Sequence, residues 1–263
     1  MSKKIAITFC GGVEEVTGAN YLLELSDGDV THRMLVDCGL TQGSASMEEK
    51  NRRPFSYDPK TIDLLLITHA HIDHIGRVPK LVHDGFHGRI VSTPETKELA
   101  EPMLLDALKI ADEEARRKGI LALYEKADLE RSLELWDGLS YGTSRELAPG
   151  VFVTPRDAGH VLGSAMFEFA LDGAIYGDGE GKHQPVRLVF TGDLGNSPSP
   201  LLRDTETIRG AHYLVMESVY GDRNHESVED RRELLKDVVL KTVKKNGTLL
   251  VPIFSLEKTQ VLL

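Results

Sequence analysis

The sequence predicts an α/β sandwich, in which sheets and helices stack in layers. Short apolar runs separated by glycine-containing turns fill the N-terminal region, as they do in a β-meander. Further along the chain, strand-like runs alternate with helical patterns, which is the order expected when helices cover mixed sheets. A length of 263 residues is sufficient for one large domain, or for one domain and the beginning of another.

The individual elements are predicted from hydrophobic periodicity. Brief apolar runs bounded by turn residues indicate strands, and apolar residues three or four positions apart indicate helices. The helical pattern is clearest where Leu104, Leu108 and Ala111 share one face. The predicted strands are Lys4–Phe9, Tyr21–Leu25, Arg33–Val36, Ile62–Thr68, Arg89–Ser92, Val151–Thr154, Ala165–Leu171, Val186–Thr191, His212–Met216 and Thr248–Phe254. The predicted helices are Gly76–His83, Glu95–Arg117, Lys126–Leu135, Val228–Lys244 and one that begins at Ser255.

Composition limits the class of protein. Apolar residues make up 41% and charged residues 27%, as in ordinary globular proteins. The apolar run Ile5–Phe9 is too short for a secretory signal, and Cys10 and Cys38 are too few for a disulfide framework. We therefore expect a cytoplasmic protein with no membrane span. The net charge of −10 argues against a nucleic-acid binder, although bound divalent cations would add positive charge locally.

The C-terminal segment predicts that the chain is a fragment. The run from Ser255 to Leu263 begins like a capped helix and ends on three apolar residues. It has neither a C-capping glycine nor a polar tail, which usually follow a helix. We expect a longer protein to continue beyond this point.

The strongest chemical signal is the segment Thr68–Arg77. Three histidines and an aspartate lie within six positions, directly after a strand-like apolar run. Side chains two residues apart in an extended chain point the same way, so His69 and His71 are expected to face one point. Asp73 and His74 turn toward a second point as a helix begins. Imidazole and carboxylate groups both bind Zn²⁺, and four ligands so close together suggest two neighbouring metal ions.

Four further residues are weaker candidates when each is considered alone. His160 lies in a turn of small residues, while Asp37, Asp193 and Glu217 each follow an apolar strand. A single histidine in a turn is more often a packing residue, and an aspartate after a strand is more often a turn residue. Because ligands in α/β sheets cluster where strands end, one shared site accounts for all four most simply. An aspartate such as Asp193 can bridge two cations.

These residues, in this order, resemble a known family. Asp37, His69-x-His71-x-Asp73-His74, His160 and Asp193 resemble motifs one to four of the metallo-β-lactamase superfamily. Met216–His225 resembles the first motif of its β-CASP group of nucleases. Val251–Gln260 is similar to a segment of the β-CASP insert, with Glu257-Lys258 replacing the usual Gly-Arg. Gly11–Gly18 and Gly85–Arg89 look like the bacterial and archaeal relatives of the cleavage-and-polyadenylation endonuclease.

The resemblance implies an incomplete αββα sandwich over residues 1–217 and the start of a β-CASP domain over residues 218–263. It implies two Zn²⁺ ions, the first bound by His69, His71 and His160, the second by Asp73 and His74, and both by Asp193. A hydroxide between the ions would cleave single-stranded RNA. Asp73, Asp37 and Glu217 are the expected catalytic group, with Asp37 steadying the ligand loop and Glu217 pairing with a histidine beyond this chain. The full-length protein is expected to act on RNA, with a homodimer left open.

Two other functions remain open at this stage. The metal motif is also compatible with a glyoxalase-type thioesterase or lactonase. If the chain is a fragment, it is also compatible with a binding subunit that has no catalytic activity. The β-CASP-like segments favour the nuclease, because a small-molecule hydrolase has no use for such an insert. The intact metal motif argues against a subunit that has lost catalysis.

Overall fold

In the computed structural model, two β-sheets stack face to face, and helices cover the outer face of the first sheet. The structure describes residues 4–43, 45–177, 184–196, 198–224, 228–254 and 256–262. The chain divides into two compact units, Met1–Glu217 and Ser218–Leu263. Both sheets belong to the first unit, and the α/β sandwich predicted from the sequence is confirmed.

The elements have the following bounds. The strands are β1 (Lys4–Gly11), β2 (Asn20–Ser26), β3 (Thr31–Val36), β4 (Leu64–Leu66), β5 (Arg89–Ser92), β6 (Trp136–Gly138), β7 (Arg145–Ala148), β8 (Val151–Asp157), β9 (Ala165–Leu171), β10 (Val186–Phe190) and β11 (Tyr213–Val215). The helices are α1 (Ala45–Arg52), α2 (Ile72–Ile75), α3 (Val78–His83), α4 (Pro94–Lys118), α5 (Lys126–Glu134), α6 (Gly173–Tyr176), α7 (Val228–Lys244) and α8 (Lys258–Leu262).

Strand direction decides which strand ends meet. The first sheet has the order β1-β2-β3-β4-β5-β6, antiparallel through β3 and parallel from β3 to β6. The second has the order β11-β10-β9-β8-β7, in which only β10 and β11 run parallel. The C-terminal ends of β3 and β4 therefore lie side by side in one sheet, and those of β10 and β11 lie side by side in the other.

Alternating side chains of the first sheet supply two separate cores. Leu22, Leu35 and Leu65 point toward the helices, where they pack with residues such as Leu104 and Leu129. Their neighbours Leu23, Met34, Leu64 and Leu66 point the other way and pack against Phe167 and Phe169 of the second sheet. This two-residue period is the pleat of a strand, which sends successive side chains to opposite faces. Each fully buried side chain of this size contributes roughly 1.5–3 kcal/mol.

Helix α4 shows how local sequence sets the bounds of an element. Thr93 caps its N-terminus, because the threonine hydroxyl accepts a hydrogen bond from the backbone N–H of Thr96. Gly119 ends it in the left-handed conformation, at φ 64°. The helix therefore extends one residue further at each end than the predicted Glu95–Arg117.

Several sequence predictions differ from the structure. The predicted strand Thr248–Phe254 forms no regular element, since no described strand pairs with it. Ile62–Thr68 shortens to β4 and Gly76–His83 shortens to α3, while the short helix α2, which was not predicted, lies just before Gly76. Strands β6 and β7, which were not predicted, are only three and four residues long. Ser255, the predicted start of the last helix, lies outside the described residues.

In the second unit, the structure describes residues 218–224, α7, the irregular residues 245–254, and residues 256–262, which include α8. Many apolar side chains of α7 are solvent-exposed, among them Leu234, Val239 and Val243. Over the part of the chain that the structure describes, no helix is long and apolar enough to span a membrane.

Candidate metal centre

Four strand ends converge on one place in the first unit. Asp37 follows β3, Thr68 and His69 follow β4, Asp193 follows β10, and Glu217 follows β11. His160 arrives from the turn between β8 and β9. The last residues of parallel strands share a sheet edge, so the two parallel pairs bring side chains from distant parts of the sequence together.

Three histidines and an aspartate form a compact group of potential ligands. One ligand atom from each of His69, His71, His160 and Asp193 lies within 4.8 Å of all the others. Nδ1 of His71 lies 3.0 Å from Nε2 of His69 and 3.2 Å from Nε2 of His160. Oδ2 of Asp193 lies 3.8 Å and 3.6 Å from the same two Nε2 atoms.

These distances fit a tetrahedral divalent ion. Nitrogen ligands placed about 2.0–2.1 Å from Zn²⁺ at tetrahedral angles are about 3.3–3.4 Å apart. The observed nitrogen separations fall within a few tenths of an ångström of that value. Three imidazole nitrogens facing one another cannot all be satisfied by hydrogen bonds among themselves, whereas a cation between them satisfies all three.

Asp73 and His74 form a second, smaller group beside the first. Nε2 of His74 lies 3.3 Å from Oδ1 of Asp193 and 3.9 Å from Oδ2 of Asp73. Asp193 therefore directs one carboxylate oxygen toward each group. The ring centroids of His69 and His74 are 4.0 Å apart, so the two groups are immediate neighbours. Asp193 thus connects the two groups of potential ligands.

Asp37 supports the ligands from behind. It is completely buried and has a left-handed backbone with φ 59°. Its Oδ2 lies 2.8 Å from Nδ1 of His74, while its Oδ1 accepts a hydrogen bond from the Thr68 backbone N–H. A carboxylate on the far nitrogen of a ligating histidine fixes the ring and raises its basicity.

A buried amide holds Asp37 in its uncommon backbone conformation. Nδ2 of Asn20 donates to the Asp37 carbonyl at 2.7 Å, and the Tyr57 hydroxyl donates to Oδ1 of Asn20 at 3.0 Å. Because the side-chain oxygen of Asn20 accepts from Tyr57, the side-chain nitrogen of Asn20 is the atom that faces Asp37. Tyr57 and Asn20 therefore stabilise the turn that carries the carboxylate.

Backbone contacts clamp the ligand loop onto the rest of the fold. The loop after β3 forms several hydrogen bonds with α2, which carries Asp73 and His74, such as Cys38 N–H to the His74 carbonyl at 2.8 Å. A side chain at Gly39 would overlap the carbonyl of Asp73, and one at Gly195 would overlap the carbonyl of Gly159. These glycines allow backbones to approach to a distance that any other residue would prevent.

The charges of the site shift the pKa values of its members. Burial, together with the neighbouring histidines, lowers the pKa of His69 well below its usual value, so His69 is neutral. Burial alone would lower the pKa of His74, but the charges and hydrogen bonds of Asp37 and Asp193 raise it well above its usual value. Burial alone would raise the pKa of Asp193, but His74 and the other histidines lower it to about 2. Burial also raises the pKa of Asp73.

The raised pKa of His74 and the lowered pKa of Asp193 show that the site favours positive charge beside these carboxylates. A divalent ion bound there would supply such charge in place of a proton. His69 is already in the neutral form that binds metals. The donor set of imidazoles and carboxylates thus fits a divalent metal.

Glu217 reaches the same region from β11. Its Oε1 accepts a hydrogen bond from the Leu194 backbone N–H at 3.2 Å. A cavity of about 30 Å³ lies between Glu217, Asp193, His74 and Tyr21, large enough to hold water. Burial, followed by the charges of Asp37 and Asp193, raises the pKa of Tyr21 to about 12, so its phenol remains protonated.

The structure brings together every residue that the sequence nominated and adds others. Asp37, His69, His71, Asp73, His74, His160, Asp193 and Glu217 all border this site. Thr68, Asn20, Tyr21 and Ser164 were not nominated; Oγ of Ser164 accepts the backbone N–H of His160 at 3.0 Å. The one available signal was position, since Thr68 directly precedes His69 and Asn20 is a polar residue opening an apolar strand.

Comparison with known proteins gives a family and several relatives. The model of the metallo-beta-lactamase superfamily matches residues 15–243. Ribonuclease TTHA0252 of Thermus thermophilus is 36% identical over 96% of this chain and 52% of its own length. The transcription termination factor FttA of Methanosarcina mazei is 30% identical over 97% of this chain and 38% of its own. Cleavage and polyadenylation specificity factor 73 of Drosophila melanogaster is 32% identical over 96% and 34%. The chain thus spans about a third to a half of the length of these relatives.

Proposed function

The chain belongs to the metallo-β-lactamase superfamily, and on that basis we propose that it is the metal-binding part of a ribonuclease that hydrolyses single-stranded RNA. The observation that carries the proposal is the four-donor cluster of His69, His71, His160 and Asp193, in a chain whose relatives include a ribonuclease. We propose Zn²⁺ as the metal and two ions per chain. The first unit would be the metallo-β-lactamase domain and residues 218–263 the beginning of a β-CASP domain.

The proposed chemistry assigns separate tasks to these residues. When bound, two ions would supply a nucleophile from water at neutral pH and positive charge for the phosphoryl oxygens. His69, His71 and His160 would hold one ion, Asp73 and His74 the other, and Asp193 both. The first three are arranged by strand ends and turns, so little reorganisation would accompany binding.

The remaining residues would orient groups and handle protons. Asp37 would hold Nδ1 of His74 so that Nε2 faces Asp193. Glu217, beside the small cavity, is placed to hold a water or to pass a proton toward a leaving oxygen, with a partner histidine supplied by the longer protein. RNA as substrate, a cytoplasmic location and a homodimer of the full-length protein all belong to this proposal.

A cleavage assay with one matched pair of variants tests the function. With Zn²⁺ present, the longer protein that contains this chain should cleave labelled single-stranded RNA, and Asp73→Ala in that protein should lower the rate by at least about 100-fold. Asp137→Ala, which removes an exposed carboxylate on β6, should cleave like the wild type. Circular dichroism should show both variants folded.

The same experiment also tests the alternative activity, which is hydrolysis of thioesters or lactones. If the zinc-loaded wild type hydrolyses thioesters or lactones and leaves RNA intact, the ribonuclease proposal is wrong and a glyoxalase-type hydrolase takes its place. If Asp73→Ala cleaves RNA at the wild-type rate, the cleavage does not take place at this site.

A further inference from the structure

The hydroxyl of Thr68 lies between the two groups of ligands. Thr68 joins β4 to His69 and is 1% exposed. Its Oγ1 lies 2.8 Å from Oδ2 of Asp37 and 3.1 Å from Nδ1 of His69. A hydroxyl has one hydrogen to donate and two lone pairs that accept. The direction of each hydrogen bond can therefore be worked out from its partners.

Asp37 decides where the hydroxyl hydrogen points. An ionised carboxylate only accepts hydrogen bonds, so Thr68 must donate to Oδ2. The oxygen of Thr68 then faces Nδ1 of His69 with a lone pair. For that contact to be a hydrogen bond, Nδ1 of His69 must carry the hydrogen, which leaves the lone pair of His69 on Nε2. Nε2 is the nitrogen that faces His71 and Asp193.

The same carboxylate oxygen also determines which ring nitrogen of His74 carries a hydrogen. Oδ2 of Asp37 also lies 2.8 Å from Nδ1 of His74, so that nitrogen carries a hydrogen as well. Nε2 of His74 is left facing Asp193 at 3.3 Å. A continuous chain of hydrogen bonds thus runs from His69 through Thr68 and Asp37 to His74. Both histidines are held with Nε2 toward the metal centre.

We propose that Thr68 is a positioning residue of the metal centre, whose hydroxyl holds His69 in the tautomer that presents Nε2 to a divalent cation and ties it through Asp37 to His74. The inference rests on the proposed function only in requiring that the site binds such a cation. The whole Thr68 side chain also packs against Gly192, where an added Cβ would lie 2.7 Å from Cβ, 2.8 Å from Oγ1 and 3.0 Å from the methyl carbon of Thr68.

Three substitutions separate the hydroxyl from the shape of the side chain. Thr68→Val keeps the branched shape and loses the hydroxyl, Thr68→Ser keeps the hydroxyl and loses the methyl, and Thr68→Ala loses both. Serine and alanine at this position differ only by the hydroxyl. Thermal unfolding followed by circular dichroism identifies the variants that fold, and the Ser–Ala pair remains informative if the valine variant does not.

Zinc affinity is the first measurement, made by competition with a chromophoric chelator. Loss of a hydrogen bond to a ligating histidine typically costs about 10–100-fold in affinity. We expect Thr68→Val and Thr68→Ala to bind Zn²⁺ about 10–100-fold more weakly than the wild type, and Thr68→Ser to remain within about threefold of it. Equal affinities in the serine and alanine variants would overturn the proposal.

The second measurement is the hydrogen on Nδ1 of His69 and its protection from solvent exchange, which a merely structural role of Thr68 would leave unchanged. Long-range ¹H–¹⁵N spectra of the zinc-loaded wild type should show His69 and His74 protonated on Nδ1. In Thr68→Ala the Nδ1 hydrogen of His69 should lose its protection from solvent exchange, while that of His74 should keep it. If the His69 signal is identical in both proteins, Thr68 does not act on His69. A wild type that takes up no Zn²⁺ would instead overturn the proposed function, and this inference with it.

Discussion

At the scale of single residues, the two groups of ligands differ in number. In the proposed site, three histidines and Asp193 would hold the first ion, whereas Asp73, His74 and the shared Asp193 would hold the second. We therefore predict that metal-free protein binds two Zn²⁺ ions in unequal steps. Asp73→Asn should weaken the second step by about 10-fold or more and leave the first nearly unchanged. Isothermal titration of the metal-free protein with Zn²⁺ measures both steps.

The exposed residue Asp137 supplies the control for this prediction. Asp137→Asn makes the same chemical change on β6 and should leave both steps unchanged. Two equally tight sites in the wild type would contradict the donor count. Loss of both steps in Asp73→Asn would mean that Asp73 supports the whole loop and does not serve one ion alone.

The site residues differ in how far the sequence alone could identify them. His69, His71, Asp73 and His74 are four ligand types within six positions, so their spacing is itself the signal. His160, Asp193 and Asp37 have ordinary surroundings in sequence and were assigned by resemblance. Thr68 was missed because its role depends on a carboxylate 31 positions away, and no local pattern reveals that contact.

At the scale of elements, the close approach between the loop after β3 and the ligand loop makes a prediction about Gly39. Adding a methyl group there forces the carbonyl of Asp73 away, and overpacking of this kind costs about 1–3 kcal/mol. Gly39→Ala should lower the free energy of unfolding by about that amount and also weaken Zn²⁺ binding, because Asp73 and His74 must move. Chemical denaturation and chelator competition measure the two effects.

Gly138→Ala is the matched control, since a methyl group there would meet only the ring of Pro94, at 3.2 Å. It should cost less stability and leave metal affinity unchanged. A folded Gly39→Ala protein with wild-type zinc affinity would show that the clamp does not position the ligands.

Elements were predictable where the sequence pattern is long. Helix α7 was predicted with its observed bounds, Val228–Lys244, and the seven-residue strand β9 with its bounds Ala165–Leu171. Strand β6 was missed because three residues are too few for an alternating pattern. Thr248–Phe254 has the composition of a strand, yet a strand also requires a neighbour, and composition carries no information about pairing.

At the scale of the whole molecule, the chain has a negative net charge, which repels the negatively charged RNA proposed as its substrate. RNA-binding proteins usually neutralise phosphates with lysine and arginine, but this chain has a net charge of −10. Two of the relatives, a ribonuclease and a cleavage and polyadenylation specificity factor, are about two to three times longer than this chain, so the rest of such a protein can add basic surface. Within this chain, divalent cations bound at the proposed metal centre would be a concentrated source of positive charge.

We therefore predict that RNA binding by this chain depends on its metal ions. Fluorescence anisotropy with a labelled, cleavage-resistant phosphorothioate RNA should show affinity falling by roughly tenfold or more when EDTA removes the metal, a loss of about 1.4 kcal/mol or more. Zn²⁺ added back should restore it. Because few lysine or arginine contacts are involved, affinity should change only slightly between low and moderate salt. Binding that survives EDTA and falls steeply with salt would mean that a basic surface, and not the metal centre, holds the RNA.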